Sequence, residues 1–197
     1  MTIDGMPLRA RLAMSTSQLA NKHGIYLGRR STRIHVALYQ RSGGKLGGHL
    51  PGWPAAPILL LDHLGAKSGA KRTSPLMYYE QGDVVAVVAS KAGQPTNPAW
   101  FHNLRANPDA AIQVGSVVRE VRARVASDEE RERLWPKFEA FYPGYEFFQR
   151  HAKGRKIPIM ILEPREGASP RRALRSSANV TAQPTNAGRR TFQGRPH

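Results

Sequence analysis

The chain has 197 residues, 40% of them apolar, enough for one core-bearing domain with tails. Its 30 Lys and Arg against 14 Asp and Glu give a formal net charge of +16, which favours anionic partners: nucleic acid, an anionic membrane surface, or ligands bearing phosphate or carboxylate. There is no cysteine, which excludes disulfides, thiolate catalysis and Cys-ligated metal sites, and the richest apolar runs are strand-length, too short to span a bilayer.

Residues 1–24 are basic and weakly amphipathic, with Leu8, Leu12 and Leu19 at loosely helical intervals and Arg9 and Arg11 between them. They read as a short surface helix, with a helix lying on an anionic membrane as the alternative. The start lacks the compact apolar region of a secretory signal. "GRRSTRIHVALYQR" (28–41) predicts a firmer helix, because Ile34, Leu38 and Arg41 follow a three-to-four spacing and the glycines of "SGGKLGG" end it. "HLPGWPAAP" reads as a turn-rich connection in which Pro and Gly forbid regular structure.

Residues 57–126 read as sheet. Strands are expected at 58–64 ("ILLLDHL"), 72–80 ("RTSPLMYYE") and 84–90 ("VVAVVAS"). Asn97 is expected to cap a helix with Pro98 at its first position, running until Pro108. Two further strands, 110–115 and 117–126, flank a glycine turn. Ser127 with Glu130 forms a capping box for a helix whose face carries Leu134, Phe138 and Phe141. "GYEFFQRHAKGRK" is a short helix or structured loop, and "IPIMILEP" (157–164) is a last strand. About six strands on mostly short antiparallel connections imply an α+β protein, mainly β: a small β-barrel with appended helices. The expected organisation is a basic helical extension over 1–34, the barrel domain over 35–164, and a disordered tail over 165–197, where seven Arg oppose Glu166 and few apolar residues offset the ordering entropy.

The seven histidines form no HxxxH or HExxH pair, so no metal site is expected and each reads as a capping or surface residue. No GxSxG is present, and Ser90 lacks a partnered acid. The turn "GAKSGAKR" is not a Walker A sequence. Gly65 and Gly69 permit a bend of exposed N–H groups, while Lys67, Ser68 and Arg72 offer a point charge, a hydroxyl and a planar fork for phosphate oxygens. A solvated hairpin explains the same residues, and spacing alone favours it. In "ASKAGQPTNPAWFHNLRANP", Trp100 and Asn103 share a helical face that a flat heteroaromatic ring could meet; core packing and helix capping are the commoner uses of such residues. Tyr142, Tyr145 and Phe148 recur every three residues, as an aromatic pocket wall or as a hydrophobic anchor.

Taken together, Gly-x-Lys-Ser-Gly-x-x-Arg, Ala-Ser-Lys-x-Gly, Asn-Pro-x-Trp-x-x-Asn-Leu-x-x-Asn-Pro, Tyr-Pro-x-Tyr and Ile-Pro-x-x-x-Leu-Glu-Pro, in that order from about His35 to Pro164, resemble the deazaflavin-dependent nitroreductases and F420-dependent quinone reductases of actinobacteria. The resemblance implies a split β-barrel of the FMN-binding type with N-terminal and lid helices, and hydride transfer from reduced coenzyme F420 to a quinone or nitroaromatic acceptor. It implies that Gly65, Lys67, Ser68 and Arg72 hold the cofactor's phosphate, and that Pro75, Ala89, Ser90, Lys91, Trp100 and Asn103 complete the cofactor site. Ser90, Tyr142 and Tyr145 would be the catalytic, substrate-facing residues. FMN on the same barrel is the alternative cofactor, because it too presents a phosphate; a basic nucleic-acid-binding protein is a more distant alternative, and no specific nucleic acid is expected. A cytoplasmic protein is expected, and the N-terminal helix and basic surface offer peripheral contact with the inner face of the plasma membrane, which suits a quinone acceptor. Two positions depart from the family pattern: Ala66, where an Arg often stands, and Phe148, where a third tyrosine can occur.

Overall fold

The computed structural model describes residues 29–51 and 53–173; the expected helix within 1–24 and the end of the tail lie outside them. Helix α1 (Arg29–Ser42) leads into a short strand β1 (His49–Leu50) and the long strands β2 (Trp53–Leu64) and β3 (Lys71–Gln81). Strand β4 (Val84–Val88), helix α2 (Ala99–Ala106), β5 (Asp109–Val114), β6 (Val117–Val125), helices α3 (Asp128–Phe141) and α4 (Gly144–His151), β7 (Ile159–Pro164) and β8 (Arg171–Arg172) follow.

The sheet order β1-β2-β3-β4-β7-β6-β5, with β5 returning to pair with β2, closes six antiparallel strands into a barrel. This is the expected split-barrel class. Closure leaves β2 to β7 without free edges. The period of two along each strand then sorts residues to the inside or the outside. Leu59 and Leu61 on β2, Val85 and Val87 on β4, and Met160 and Leu162 on β7 fill the interior together with Trp100, Phe101 and Leu104 of α2. Their neighbours Ala86, Val88, Ile159 and Ile161 point outward, under Phe138 of α3 and Tyr145 and Phe148 of α4. Helix α1 docks elsewhere on the outside through Tyr39, which is 1% exposed. The Tyr39 hydroxyl donates to the Ile58 carbonyl at 2.9 Å and accepts from the Gly115 N–H at 2.9 Å.

Four expectations are corrected. The stretch from Trp53 to Pro57 is strand, not irregular connection: prolines fit extended backbone where no ladder N–H is required, and β1 pairs across it, with Pro57 opposite His49. The helix after Asn97 begins with Pro98 as its flanking residue, and the Asn97 side chain accepts from Arg155 instead of capping. The tail is ordered as far as Ala173, because β8 pairs with β6 and Arg171 meets Glu120 at 2.9 Å. The boundary drawn at residue 34 also falls inside α1, whose second half carries the docking Tyr39. The capping box on α3 is formed as expected, with Ser127 Oγ accepting from the Glu130 N–H and the Glu130 carboxylate accepting from the Ser127 N–H.

Candidate functional site

The turn between β2 and β3 is internally bonded. The Gly65 N–H donates to the Ala70 carbonyl at 2.9 Å, the Gly69 N–H to the Gly65 carbonyl at 2.8 Å, and the Ala70 N–H to Ser68 Oγ at 3.3 Å. The Ala66 N–H donates to Asn103 Oδ1 at 2.9 Å. These four amides are therefore not free for an anion. Gly65 is where two side chains meet: a Cβ there would stand 2.7 Å from Ser68 Oγ and 3.1 Å from Arg72 Nε. Only a residue without a side chain leaves that cradle open. Gly69, at φ +62°, supplies the left-handed corner.

This turn belongs to the part of the basic surface that no carboxylate neutralises. Arg119, Arg122, Arg124, Arg171 and Lys156 each meet a carboxylate. Among the described residues no carboxylate lies within ion-pair distance of Lys67, Lys71 or Arg72. Three cations and a hydroxyl within six residues, uncompensated by the protein, suit a phosphate in charge and in donor type.

Behind the turn runs a buried polar chain that the sequence did not reveal. An amide N–H can only donate, so the Ala66 contact fixes the Asn103 oxygen, and Asn103 Nδ2 must be the donor toward His63 Nδ1, 3.1 Å away. His63 Nδ1 is then an acceptor, and Nε2 carries the proton toward Ser74 Oγ at 3.1 Å. His63 is 5% exposed and neutral in this arrangement; burial is the main cause pushing its pKa below the ordinary value, with a further push from the Arg72 charge. The expectation of a surface histidine is corrected, and the signal lay in the strand: Leu59, Leu61 and His63 share one face by alternation. Asn103 is likewise an internal link from α2 to the turn, with both ends of its amide engaged.

The segment after β4 is the second part of the site. Lys91, Ala92 and Gly93 take φ values of 47°, 54° and 78°, three left-handed residues in a row. The two that carry a Cβ cost about 1 kcal/mol each, so the segment is held by something outside itself. That holder is Arg155, between α4 and β7. Its guanidinium donates to the carbonyls of Ala89 at 3.3 Å, Ser90 at 3.0 Å and Gln94 at 2.9 Å, and to Asn97 Oδ1 at 2.6 Å. No sequence motif pointed to Arg155, because its acceptors lie about sixty residues upstream. Lys91 reaches Thr96 Oγ1 at 2.8 Å. Ser90 is half-buried, with its carbonyl held and, among the described residues, no hydrogen bond on its hydroxyl.

Turn and segment flank the same helix: α2 is bonded to the turn through Asn103 and is entered from residues 94–98. The structure thus brings Gly65, Ser68 and Arg72 together in a turn that also carries Lys67, while Ser90 and Lys91 precede the same helix in the chain. It separates others. Ala89 is fully buried and Trp100 is 7% exposed, both packed in the barrel interior, so the indole is core and not a platform over a groove. Pro75 lies opposite Leu60 on the face of β3 turned away from that of Arg72 and Ser74. Tyr142 and Tyr145 are 5% and 2% exposed within a cluster of edge-on rings that includes Trp53, Trp135, Phe138 and Phe141. In this arrangement they anchor α4 on the outside of the barrel; burial also raises the Tyr145 phenol far above its ordinary pKa. Two open clefts of about 700 and 640 Å³ lie elsewhere, one beside α1 and β8 and one between β4 and α3, and neither is lined by these residues. Among the described residues no cluster of His, Asp and Glu could hold a metal ion.

A sequence model of the F420H(2)-dependent quinone reductase family matches residues 31–164. The chain belongs to that family. It is an oxidoreductase with coenzyme F420 as its cofactor. The F420H(2)-dependent quinone reductase Rv1261c of Mycobacterium tuberculosis strain H37Rv is 36% identical over 154 residues, which are 77% of this chain and 100% of that protein. A solved F420-H2 dependent reductase, FDR-A, is 42% identical with a TM-score of 0.51, covering 54% of this chain and 94% of that one. A second solved chain, described as a domain-swapped dimer, is 37% identical with a TM-score of 0.53, covering 66% of this chain and 94% of its own. The carboxylate-free turn and the glycine cradle are consistent with a cofactor that carries a phosphate.

Proposed function

We propose that this member of the family delivers hydride from reduced F420 to a quinone, with the cofactor's phosphate held by Lys67, Ser68 and Arg72 and its ring against the Ser90–Lys91 segment. The observation that carries the assignment is the uncompensated charge of the 65–72 turn, tied through Asn103 to the helix that follows Ser90 and Lys91. When bound, the deazaflavin supplies the hydride. The chain's own residues bind, orient and protonate. Lys67 and Arg72 neutralise the phosphate, with the open cradle at Gly65 letting Ser68 Oγ and Arg72 Nε converge on it. Lys91 and the Ser90 hydroxyl border the ring's edge. A quinone that accepts a hydride on oxygen or carbon needs one proton to become the hydroquinone, and the Ser90 hydroxyl or a water beside it is the donor.

The test is a fluorescence titration with F420 and with FMN, followed by a spectral assay of reduced F420 with menadione and with a nitroaromatic. F420 binding that weakens at least tenfold in Lys67→Ala and Arg72→Ala, with menadione turnover, is expected. Tight FMN with no F420 binding, or no turnover with either acceptor, overturns the proposal. Turnover of the nitroaromatic alone moves the acceptor class.

We also propose peripheral contact of a cytoplasmic protein with the anionic inner face of the membrane through α1. Arg30, Ile34, Leu38 and Arg41 form one stripe; Ile34 is 61% and Leu38 46% exposed, and the helix has no acidic residue. Flotation with anionic but not zwitterionic vesicles supports this, and flotation unchanged in Ile34→Glu/Leu38→Glu refutes it.

A further inference from the structure

The Ala89–Asn97 segment has little of its own to hold its shape. Beyond Ala89, whose N–H still donates to the Pro158 carbonyl at 2.9 Å, it turns through three left-handed residues, and its internal backbone bonds are few: the Gly93 N–H to the Ser90 carbonyl at 3.0 Å and the Gln94 N–H to the Lys91 carbonyl at 3.2 Å. The carbonyls of Ala89, Ser90 and Gln94 and the Asn97 amide oxygen converge instead on one guanidinium. Only a planar fork with donors on three nitrogens reaches acceptors spread over nine residues.

The position of Arg155 is itself fixed. Its N–H donates to the Ala152 carbonyl at 3.1 Å, and its own carbonyl accepts from Gln149 Nε2 at 2.8 Å. Gln149 Oε1 accepts from Arg131 Nη2 at 2.9 Å and from the Ile157 N–H at 3.0 Å. A continuous set of hydrogen bonds therefore runs from α3 through α4 to the segment. Among the described residues Arg155 has no carboxylate at ion-pair distance, so carbonyl oxygens are its whole complement of acceptors. The other side of the turn is closed by α4, since a Cβ on Gly93 would stand 3.0 Å from the Phe148 carbonyl oxygen.

We infer that Arg155 is the positioning residue of the cofactor site: its guanidinium clamps the Ala89–Asn97 segment from behind and presents Ser90 and Lys91 in a fixed geometry to the bound ring. It touches neither cofactor nor substrate. The inference rests on the reading that Ser90 and Lys91 border the ring, and the two are separable by experiment.

The full chain is compared with Arg155→Lys, which keeps the charge and loses the fork, and with Asn97→Ala, which removes one acceptor and leaves the packing of α4 untouched. Hydrogen exchange of the 89–98 peptide is measured in the cofactor-free protein, and F420 affinity by fluorescence titration. In Arg155→Lys, exchange at the Gly93 and Gln94 amides is expected to rise about tenfold while the barrel strands keep their protection. The Kd for F420 and the KM for reduced F420 rise about tenfold, and kcat at saturation falls as well, because the same clamp aims the Ser90 hydroxyl. Asn97→Ala shows the same pattern at about threefold and carries the test alone if Arg155→Lys does not fold. Unchanged exchange in both variants overturns the clamp. Faster exchange with unchanged F420 affinity overturns the positioning role, leaving Arg155 a structural staple. A wild-type protein that does not bind F420 overturns the underlying reading, and the positioning role with it, whatever the exchange shows.

Discussion

Gly65 is the residue on which the phosphate reading turns most sharply. Its φ is not left-handed, so an alanine meets no backbone penalty; what the added methyl meets is Ser68 Oγ at 2.7 Å and Arg72 Nε at 3.1 Å. Both are side-chain atoms able to move. Gly65→Ala is therefore expected to leave the melting temperature within a degree or two while weakening F420 binding about tenfold, as titration beside a thermal melt will show. His63 makes a prediction of a different kind. Its folded pKa lies below the ordinary histidine value, mainly through burial, so the unfolded chain takes up the proton first. The neutral ring's contribution is whole above about pH 6.5 and is lost as the pH falls through the folded value. The charges acting on it are Arg72, which opposes protonation, and Asp62, which favours it. Stability measured by urea denaturation should decline from pH 7 toward pH 5, and the decline should flatten in His63→Gln. An equal slope in both proteins would assign it to other groups.

At the scale of elements, each helix owes its place to a few polar contacts on an apolar seat. Tyr39→Phe keeps the ring of α1 in its seat but strips the Ile58 carbonyl and the Gly115 N–H of their partner. A loss of about 1–3 kcal/mol is expected, read as a lower urea midpoint at constant m-value. The strands were legible because 58–64 and 84–90 are strand-length apolar runs, the second rich in β-branched residues, and α3 because Ser127 and Glu130 announce its start. The beginning of β2 was not, since what makes Trp53–Pro57 a strand is its pairing with the two residues of β1. The three-residue repeat of Tyr142, Tyr145 and Phe148 correctly gave one shared face, yet periodicity does not say what covers a face, and here the barrel does. Lys67, Ser68 and Arg72 were legible as a group; Arg155 was not, because its role exists only once β4 and β7 lie side by side.

The molecule as a whole carries more positive charge than its fold uses. With 30 cations against 14 acids, the ion pairs on β6, β8 and α3 leave a large unneutralised excess. Surface pairs of this kind contribute about 0–1 kcal/mol each, so screening them costs little, whereas the summed repulsion of the excess opposes the compact state. Added salt therefore acts on folding and on cofactor binding with opposite signs. Raising the concentration from about 10 mM to about 300 mM shortens the screening length from roughly 30 Å to under 10 Å, which relieves repulsion across the molecule and raises the melting temperature. The same screening weakens the hold of Lys67, Lys71 and Arg72 on a phosphate, so the Kd for F420 should rise over the same range. Thermal melts and fluorescence titrations in one salt series read both. Lys67→Ala with Arg72→Ala should remove most of the salt dependence of binding and leave that of melting in place. A melting temperature that falls with salt would mean that the ion-pair network, and not the excess charge, governs the stability of this barrel.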